Sequence, residues 1–340
     1  MFSPYKALIT GGAGFIGSHL AETMLREGHA ISIVDNLDPF YAPSLKRANL
    51  IEIGKTAKFT MYEVDIRDRA ALDAVFKREH PDVVVHLAAK AGVRPSIQQP
   101  EQYEQTNVAG TLNLLDMARR YGVGKFVFGS SSSIYGATTH APFTEDQVEM
   151  KPVSPYAATK LAGELLCYTY SHLYHLPVVS LRFFTVYGPR QRPDLAICKF
   201  AGLINTGRVI PVFGDGRSSR DYTYVDDIVR GILAATALET DYDVFNLGNS
   251  HPISLLDLIQ LLEKTVGKSA NVNCFPPQAG DVPLTWADIS KARRLLNYEP
   301  RTQLDEGLRR FWEWYQESNG RRATAIHAEC GSDALLVGRR

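Results

Sequence analysis

Apolar residues in the first half of the chain gather into short runs, each followed by a polar break and then a stretch with helical spacing. The run at 7–10, ALIT, has the continuous apolar character of a strand buried on both faces. Comparable runs stand at 30–34, at 58–66 (KFTMYEVDI), at 81–89 (PDVVVHLAA), at 125–130 (KFVFGS) and at 177–188 (PVVSLRFFTVYG). Between them, SHLAETMLREG, RAALDAVFKRE, TNVAGTLNLLDMARRYG (opened by Asn107) and the long segment starting at Ser154-Pro155 place their apolar residues on one helical face. Strand and helix alternate, which predicts βαβ crossovers and a parallel sheet covered on both faces. Beyond Gly188 the rhythm gives way to loops, short strands and separate helices, closing with the amphipathic LDEGLRRFWEWYQES. Residues 319–340 show no pattern and are expected to form a disordered tail or an added extension.

The first strand runs into Gly11, Gly14 and Gly17 and then directly into a helix. A tight turn and a backbone lying close to a pyrophosphate both require residues without a Cβ. The helix start offers N–H groups and a partial positive charge to an anion. A glycine triplet alone also marks an ordinary turn. Here a strand precedes it, a helix follows, and the second strand ends at Asp35, 18 residues beyond Gly17. A carboxylate there can hold the adenosine ribose hydroxyls and repels a 2′-phosphate, so the expected cofactor is NAD. The expected fold class is α/β, a Rossmann-type doubly wound parallel sheet with a smaller α+β C-terminal substrate domain. Residues 1–188 would form the NAD-binding unit, with later segments returning to it, and 189–318 mainly the substrate unit.

Composition narrows the class. A chain of 340 residues with net charge +0 and 45% hydrophobic content suits one large or two closely packed units. Balanced charge gives no reason to expect nucleic acid or an anionic membrane as partner. MFSPYK lacks a signal-peptide layout, and no apolar run reaches membrane-spanning length. Cys167, Cys198, Cys274 and Cys330 are far apart, without C-x-x-C spacing, and the 9 histidines form no H-x-x-x-H group. Neither a disulfide framework nor a metal site is expected, and a reducing, cytoplasmic setting is the default.

Candidate chemistry collects at the strand ends. Asp65 and Ile66 close the third strand, where the acid either reaches the adenine amino group or caps the next helix. Leu87, Ala88, Ala89 and Lys90 follow the fourth strand, and small residues there let phosphates and ribose come close. Four serines, Ser130 to Ser133, stand at the end of the fifth strand, where open α/β sheets bind ligands. Tyr156 and Lys160 project from one helix face a turn apart, a spacing that is commonplace in itself.

The glycine loop, the serine run and Tyr-x-x-x-Lys in this order resemble the extended short-chain dehydrogenase/reductases, and among them the NAD-dependent nucleotide-sugar epimerases. The resemblance covers roughly residues 5 to 315 and includes RSSRDYTYVDDI and GDVPLTWADISKA, which are similar to two further family motifs. Sugar-nucleotide 4,6-dehydratases carry Thr-Asp-Glu where this chain has Ser131-Ser132-Ser133, so dehydration is disfavoured. UDP-galactose 4-epimerases carry Asn where Thr185 stands and Arg where Gln278 stands. The strings DNLDPFYAPSLKRANL, KAGVRPSI and RFFTVYGPRQRPDLAI look closest to UDP-glucuronate 4-epimerases.

The resemblance implies Ser131, Tyr156 and Lys160 as catalytic residues, with Lys160 and the positive nicotinamide lowering the Tyr156 pKa. It implies cofactor contacts from Gly11, Gly14, Phe15, Ile16, Gly17, Asp35, Asn36, Asp65, Ile66, Leu87, Ala88, Ala89, Lys90 and Asn107, besides Tyr156 and Lys160. Net chemistry would be 4-epimerisation of a UDP-sugar, UDP-glucuronate to UDP-galacturonate, through a transient 4-keto sugar. Ser132, Ser133 and Thr185 would hold the uronate carboxylate, and Arg220 and Arg192 the diphosphate. Arg94, Val212, Gln278 and Asp281 complete the substrate-binding set, Asp281 in a structural role. Asp226 and Asp227 read as helix caps, and Thr285 as a gate residue. Alternatives remain: a UDP-glucose or UDP-GlcNAc 4-epimerase, a UDP-glucuronate decarboxylase, or a non-catalytic NAD-binding module. A homodimer through the helices at 107–121 and 156–175 is also implied.

Overall fold

In this computed structural model, residues 4–138, 140–147, 150–278 and 280–333 are described, with side chains through Ser318. The chain begins β1 (Lys6–Thr10), α1 (Phe15–Arg26), β2 (Ala30–Val34), α2 (Pro43–Thr56), β3 (Thr60–Tyr62), α3 (Arg69–Glu79) and β4 (Val83–His86). It continues through α4 (Val93–Gln98), α5 (Pro100–Glu104), α6 (Gly110–Arg120), β5 (Lys125–Ser131), α7 (Pro155–Tyr174) and β6 (Val178–Phe183). The remainder is β7 (Thr185–Tyr187), α8 (Ala196–Asn205), β8 (Val209–Phe213), β9 (Ser219–Tyr224), α9 (Val225–Ala237), β10 (Tyr242–Leu247), β11 (Pro252–Ser254), α10 (Leu255–Val266), β12 (Asn271–Phe275), α11 (Ser290–Leu296) and α12 (Leu304–Asp333).

Seven strands form one parallel sheet in the order β10-β6-β5-β4-β1-β2-β3. Their valine- and isoleucine-rich runs are buried because helices cover both faces. After β3 the chain crosses to the other side of β1, so the order reverses between β1 and β4, and a crevice opens beyond their carboxyl ends. Two small sheets, β11-β9-β7 and β12-β8, lie outside the main one. The late strand β10 pairs with β6, so the chain does return to the parallel sheet after Gly188.

Five local expectations change. The apolar run at 177–188 is two strands: β6 joins the main sheet, and after a break at Phe184, β7 pairs with β9. Apolar period alone cannot show a change of partner. The run at 58–66 forms a ladder only over Thr60–Tyr62. Asn107 does not open its helix, which starts at Pro100 and passes through a π-helical turn at Gln105–Ala109 into α6. Asp227 is not a cap but is buried, accepting from the Arg301 amide (2.8 Å) and the Thr302 amide (3.2 Å) and pairing with Arg230. It pins the segment that leads into α12. That last helix is longer than the amphipathic pattern that predicted it, and residues 334–340 of the expected tail lie outside the described ones.

Candidate active site

Loops from the carboxyl ends of β1, β2, β4 and β5 converge on one cleft with the start of α7 and the segments around Arg192, Arg220 and Asp281. Its floor is the turn after β1. Gly11 sits at φ +71°, and a Cβ on it would lie 2.7 Å from the Ala88 amide nitrogen. A Cβ on Gly17 would lie 2.3 Å from the Gly11 carbonyl oxygen. Glycine is thus required for backbone to cross backbone, and α1 starts here with no side-chain cap.

Asp35 is buried at the end of β2, accepting from the amides of Leu37 (2.9 Å) and Ala13 (3.2 Å), with Lys46 Nζ at 3.8 Å. Burial raises its pKa, while Lys46 and the two amides oppose the rise. Asn36 donates to Asp65 (2.8 Å), and Arg67 clamps the same carboxylate from two sides, holding its pKa at about 2. Asp65 is therefore not the cap of α3; Asp68 is, accepting from the Ala71 amide at 3.0 Å. The glycine crossing, the uncapped helix start and the carboxylate at the end of β2 fit a dinucleotide. Phe15, Ile16, Gly14, Ile66, Leu87, Ala88, Ala89 and Lys90 line the same groove.

At the other end stand Ser131, Ser132, Ser133, Tyr156, Lys160 and Thr185. Ser133 donates from its amide (3.2 Å) and its hydroxyl (2.9 Å) to Ser131 Oγ. Helix α7 is capped by Ser154, which accepts from the Ala157 amide, so Tyr156 falls in the first turn and Lys160 one turn on. Lys160 Nζ donates to the Gly129 carbonyl at 2.7 Å, and burial brings its pKa down to about 8 against the opposing pull of Cys167 and Glu164. Burial raises the Tyr156 pKa, while Ser131 and the charge of Arg192 pull it down. Beneath the serines, Glu164 accepts from Ser130 Oγ (2.5 Å) and from Arg182 (2.9 Å), which also donates to Tyr135 (2.9 Å).

Arg192 lines the cleft, paired with Asp194 (2.7 Å) and lying 5.2 Å over the Phe40 ring. Arg220 also lines it, donating to its neighbour's carbonyl at Ser219 (2.9 Å), with its pKa lowered by burial. Asp281 faces the cleft and pairs with Arg94 at 2.9 Å.

Four of the expected residues do not line the cleft. Arg94 is turned to Asp281 and to the Phe213 ring. Val212 is fully buried in β8. Gln278 has a buried side-chain oxygen with no partner among the described residues. Asn107 lies behind Lys90, whose amide donates to it at 2.8 Å. Sequence reasoning missed Lys46, Tyr41 and Phe40 as cleft residues although they stand within DNLDPFYAPSLKRANL; a cation one loop beyond Asp35 was the available signal.

The chain belongs to the family described as GDP-mannose 4,6 dehydratase, whose model matches residues 8–311. It is 46% identical over 312 residues to the UDP-glucuronate 4-epimerase of Thermodesulfobacterium geofontis, spanning 92% of this chain and 96% of that protein. Among solved structures, UDP-glucuronic acid 4-epimerase from Bacillus cereus, in complex with UDP-glucuronic acid and NAD, superposes with a TM-score of 0.86 at 38% identity over 92% of this chain and 99% of that one. UDP-glucose 4-epimerase from Thermotoga maritima, with UDP-glucose, gives a TM-score of 0.85 at 34% identity, over 92% and 99%.

Proposed function

We propose that the protein is an NAD-dependent 4-epimerase of UDP-sugars whose substrate is UDP-glucuronate. The observation that carries the reading is one cleft with a dinucleotide turn at one end and Tyr156, Lys160 and the hydroxyls of Ser131, Ser132, Ser133 and Thr185 at the other. The family model is described by a dehydration, yet elimination of water needs an added acid and base where this chain has Ser131-Ser132-Ser133.

NAD, when bound, supplies reversible acceptance of the hydride from C4. The groove from Gly11 to Lys90 holds it, Asp35 taking the ribose hydroxyls. Tyr156 removes the proton of the 4-hydroxyl, and Ser131 holds the same oxygen. Lys160 keeps its positive charge close behind the reacting end and, through the Gly129 carbonyl, ties α7 to β5. The 4-keto sugar turns over in the cleft so that the hydride would return to the opposite face of C4, and Tyr156 gives the proton back to the C4 oxygen. The hydroxyls of Ser132, Ser133 and Thr185 hold the carboxylate out of line with the ketone, which suppresses loss of CO2. Arg220 and Arg192 pair with the diphosphate.

Residues 1–188 then bind the cofactor and 189–318 mainly the nucleotide sugar, in a cytoplasmic setting. A homodimer fits the exposed Leu112, Leu165, Leu173 and Tyr174 on α6 and α7, and its mass in solution tests that. Among the described residues no helix is long and apolar enough to cross a membrane.

The deciding experiment incubates the protein with UDP-glucuronate and follows products and CO2 by NMR. UDP-galacturonate without CO2 is expected. A UDP-pentose with CO2 would make it a decarboxylase, and turnover of UDP-glucose alone would move it to the other epimerases. Thr185→Ala should raise the KM for the uronate or release CO2.

A further inference from the structure

A single hydrogen-bonded chain runs through the core from β1 across β4 to the helix before α6. The Ala88 amide donates to Thr10 Oγ1 at 3.2 Å, and Thr10 Oγ1 lies 2.7 Å from His86 Nδ1. His86 Nε2 lies 2.9 Å from Thr111 Oγ1, which donates to the Asn107 carbonyl at 2.6 Å. Thr10 and Thr111 are fully buried, and His86 almost so.

Each hydroxyl has one proton to give, and this fixes the ring. Thr111 gives its proton to Asn107, so His86 must carry a proton on Nε2 and donate it to Thr111. Nδ1 is then bare and accepts from Thr10. The opposite tautomer would aim Nδ1–H at an oxygen that already takes the Ala88 amide, and would leave the Thr10 proton without an acceptor. Burial keeps the ring neutral, with a pKa of about 3, and the charge of Lys160 acts in the same direction. Phe126 and Phe128 flank it, with ring centroids 6.1 and 5.7 Å away.

Both ends of the chain reach the cleft. Ala88 lines it. The Asn107 side chain accepts from the Lys90 amide and donates to the Lys90 carbonyl (2.9 Å) and to Thr159 Oγ1 (3.0 Å). Thr159 in turn donates to the Tyr156 carbonyl at 2.8 Å.

We propose that His86, as the neutral Nε2–H tautomer, is a positioning residue that sets the 87–90 loop facing the cofactor and, through Asn107 and Thr159, the turn of α7 bearing Tyr156. The identity of the cofactor as NAD rests on the function proposed above; the ring's tautomer does not.

The first test is NMR of the NAD-bound protein labelled with 15N-histidine. Between about pH 6 and 8 the His86 resonances should show a protonated Nε2 and a bare Nδ1. A protonated Nδ1 or a cationic ring would overturn the proposal. In Thr111→Val the acceptor at Nε2 is gone while Thr10 still donates to Nδ1, so the tautomer should hold and the Nε2–H resonance should move to the shift of an unbonded N–H; an unmoved resonance overturns the directed chain. His86→Phe keeps the ring and loses both bonds. The Kd for NAD should rise about tenfold, and kcat at saturating NAD should fall by a similar factor. His86→Gln, which also accepts and donates, should restore most of both. Altered stability with Kd and kcat unchanged would reduce His86 to a packing role and overturn the proposal. A protein with the expected tautomer that binds NAD but leaves UDP-sugars untouched refutes the proposed activity and spares this inference.

Discussion

Replacing Gly11 by alanine should damage the cleft twice over, through the conformation of its own backbone and through overlap with the 87–90 loop. Gly11 has φ +71°, a conformation that costs an L-residue about 1–2 kcal/mol. The added Cβ would also stand 2.7 and 2.8 Å from the N and Cα of Ala88, and 2.9 Å from the Leu87 carbonyl carbon. These atoms are backbone, so no rotamer change relieves the overlap. Overpacking of this kind costs about 1–3 kcal/mol. The total, about 2–5 kcal/mol, divides between folding stability and cofactor affinity, because relief requires the β1 turn and the 87–90 loop to move apart. Even an equal division of the lower figure leaves about 1 kcal/mol on binding, roughly a fivefold rise in Kd. NAD titration calorimetry, together with urea unfolding of the same preparation, measures both parts. Gly54→Ala is the control: Gly54 lies in α2, and the closest atom to its added Cβ is 3.8 Å away, on Phe59. It should gain about 0.5–1 kcal/mol and leave NAD binding alone. Wild-type affinity and stability in Gly11→Ala would refute the reading of this turn as a backbone crossing that carries the cofactor.

Burial holds the Lys160 pKa at about 8 against an ordinary 10.5, so in that window the unfolded chain binds more protons and stability rises with pH. Lys160→Met should lose this rise, and a wild-type-minus-variant difference that is flat from pH 8 to 10.5 in unfolding experiments would contradict it. Glu164 and Arg182 form a buried pair, exposed by 5% and 6%, so Glu164→Leu should cost about 3–5 kcal/mol by stranding the guanidinium. Glu164→Leu/Arg182→Met should recover part of it, and strict additivity in a double-mutant cycle would show that the two are not coupled. Arg220→Met should raise the KM for UDP-sugars about 10- to 100-fold with thermal stability retained, since the guanidinium's hydrogen bond is to the Ser219 carbonyl beside it; a loss of stability with KM unchanged would make it structural.

The alternation of apolar runs and helical spacing determined the parallel sheet, because a strand buried on both faces must be apolar throughout and a crossover helix must be amphipathic. Gly11, Gly14, Gly17 and Asp35 were legible for a related reason: they act through local backbone at the end of a strand, where sequence neighbours are also neighbours in space. Ser131 and the pair Tyr156 and Lys160, far apart in the chain, line one cleft. Tertiary structure alone decided what depends on contacts between distant segments. It split the run at 177–188 between two sheets and turned Asp227 from a cap into an anchor for the Arg301 and Thr302 amides. It drew Arg94 onto Asp281, buried Val212, and put Lys46 beside Asp35. Local pattern records which face of an element is apolar. Which charge stands opposite a given side chain is set by packing, and packing brings Thr10, His86 and Thr111 into one chain although no spacing in the sequence links them.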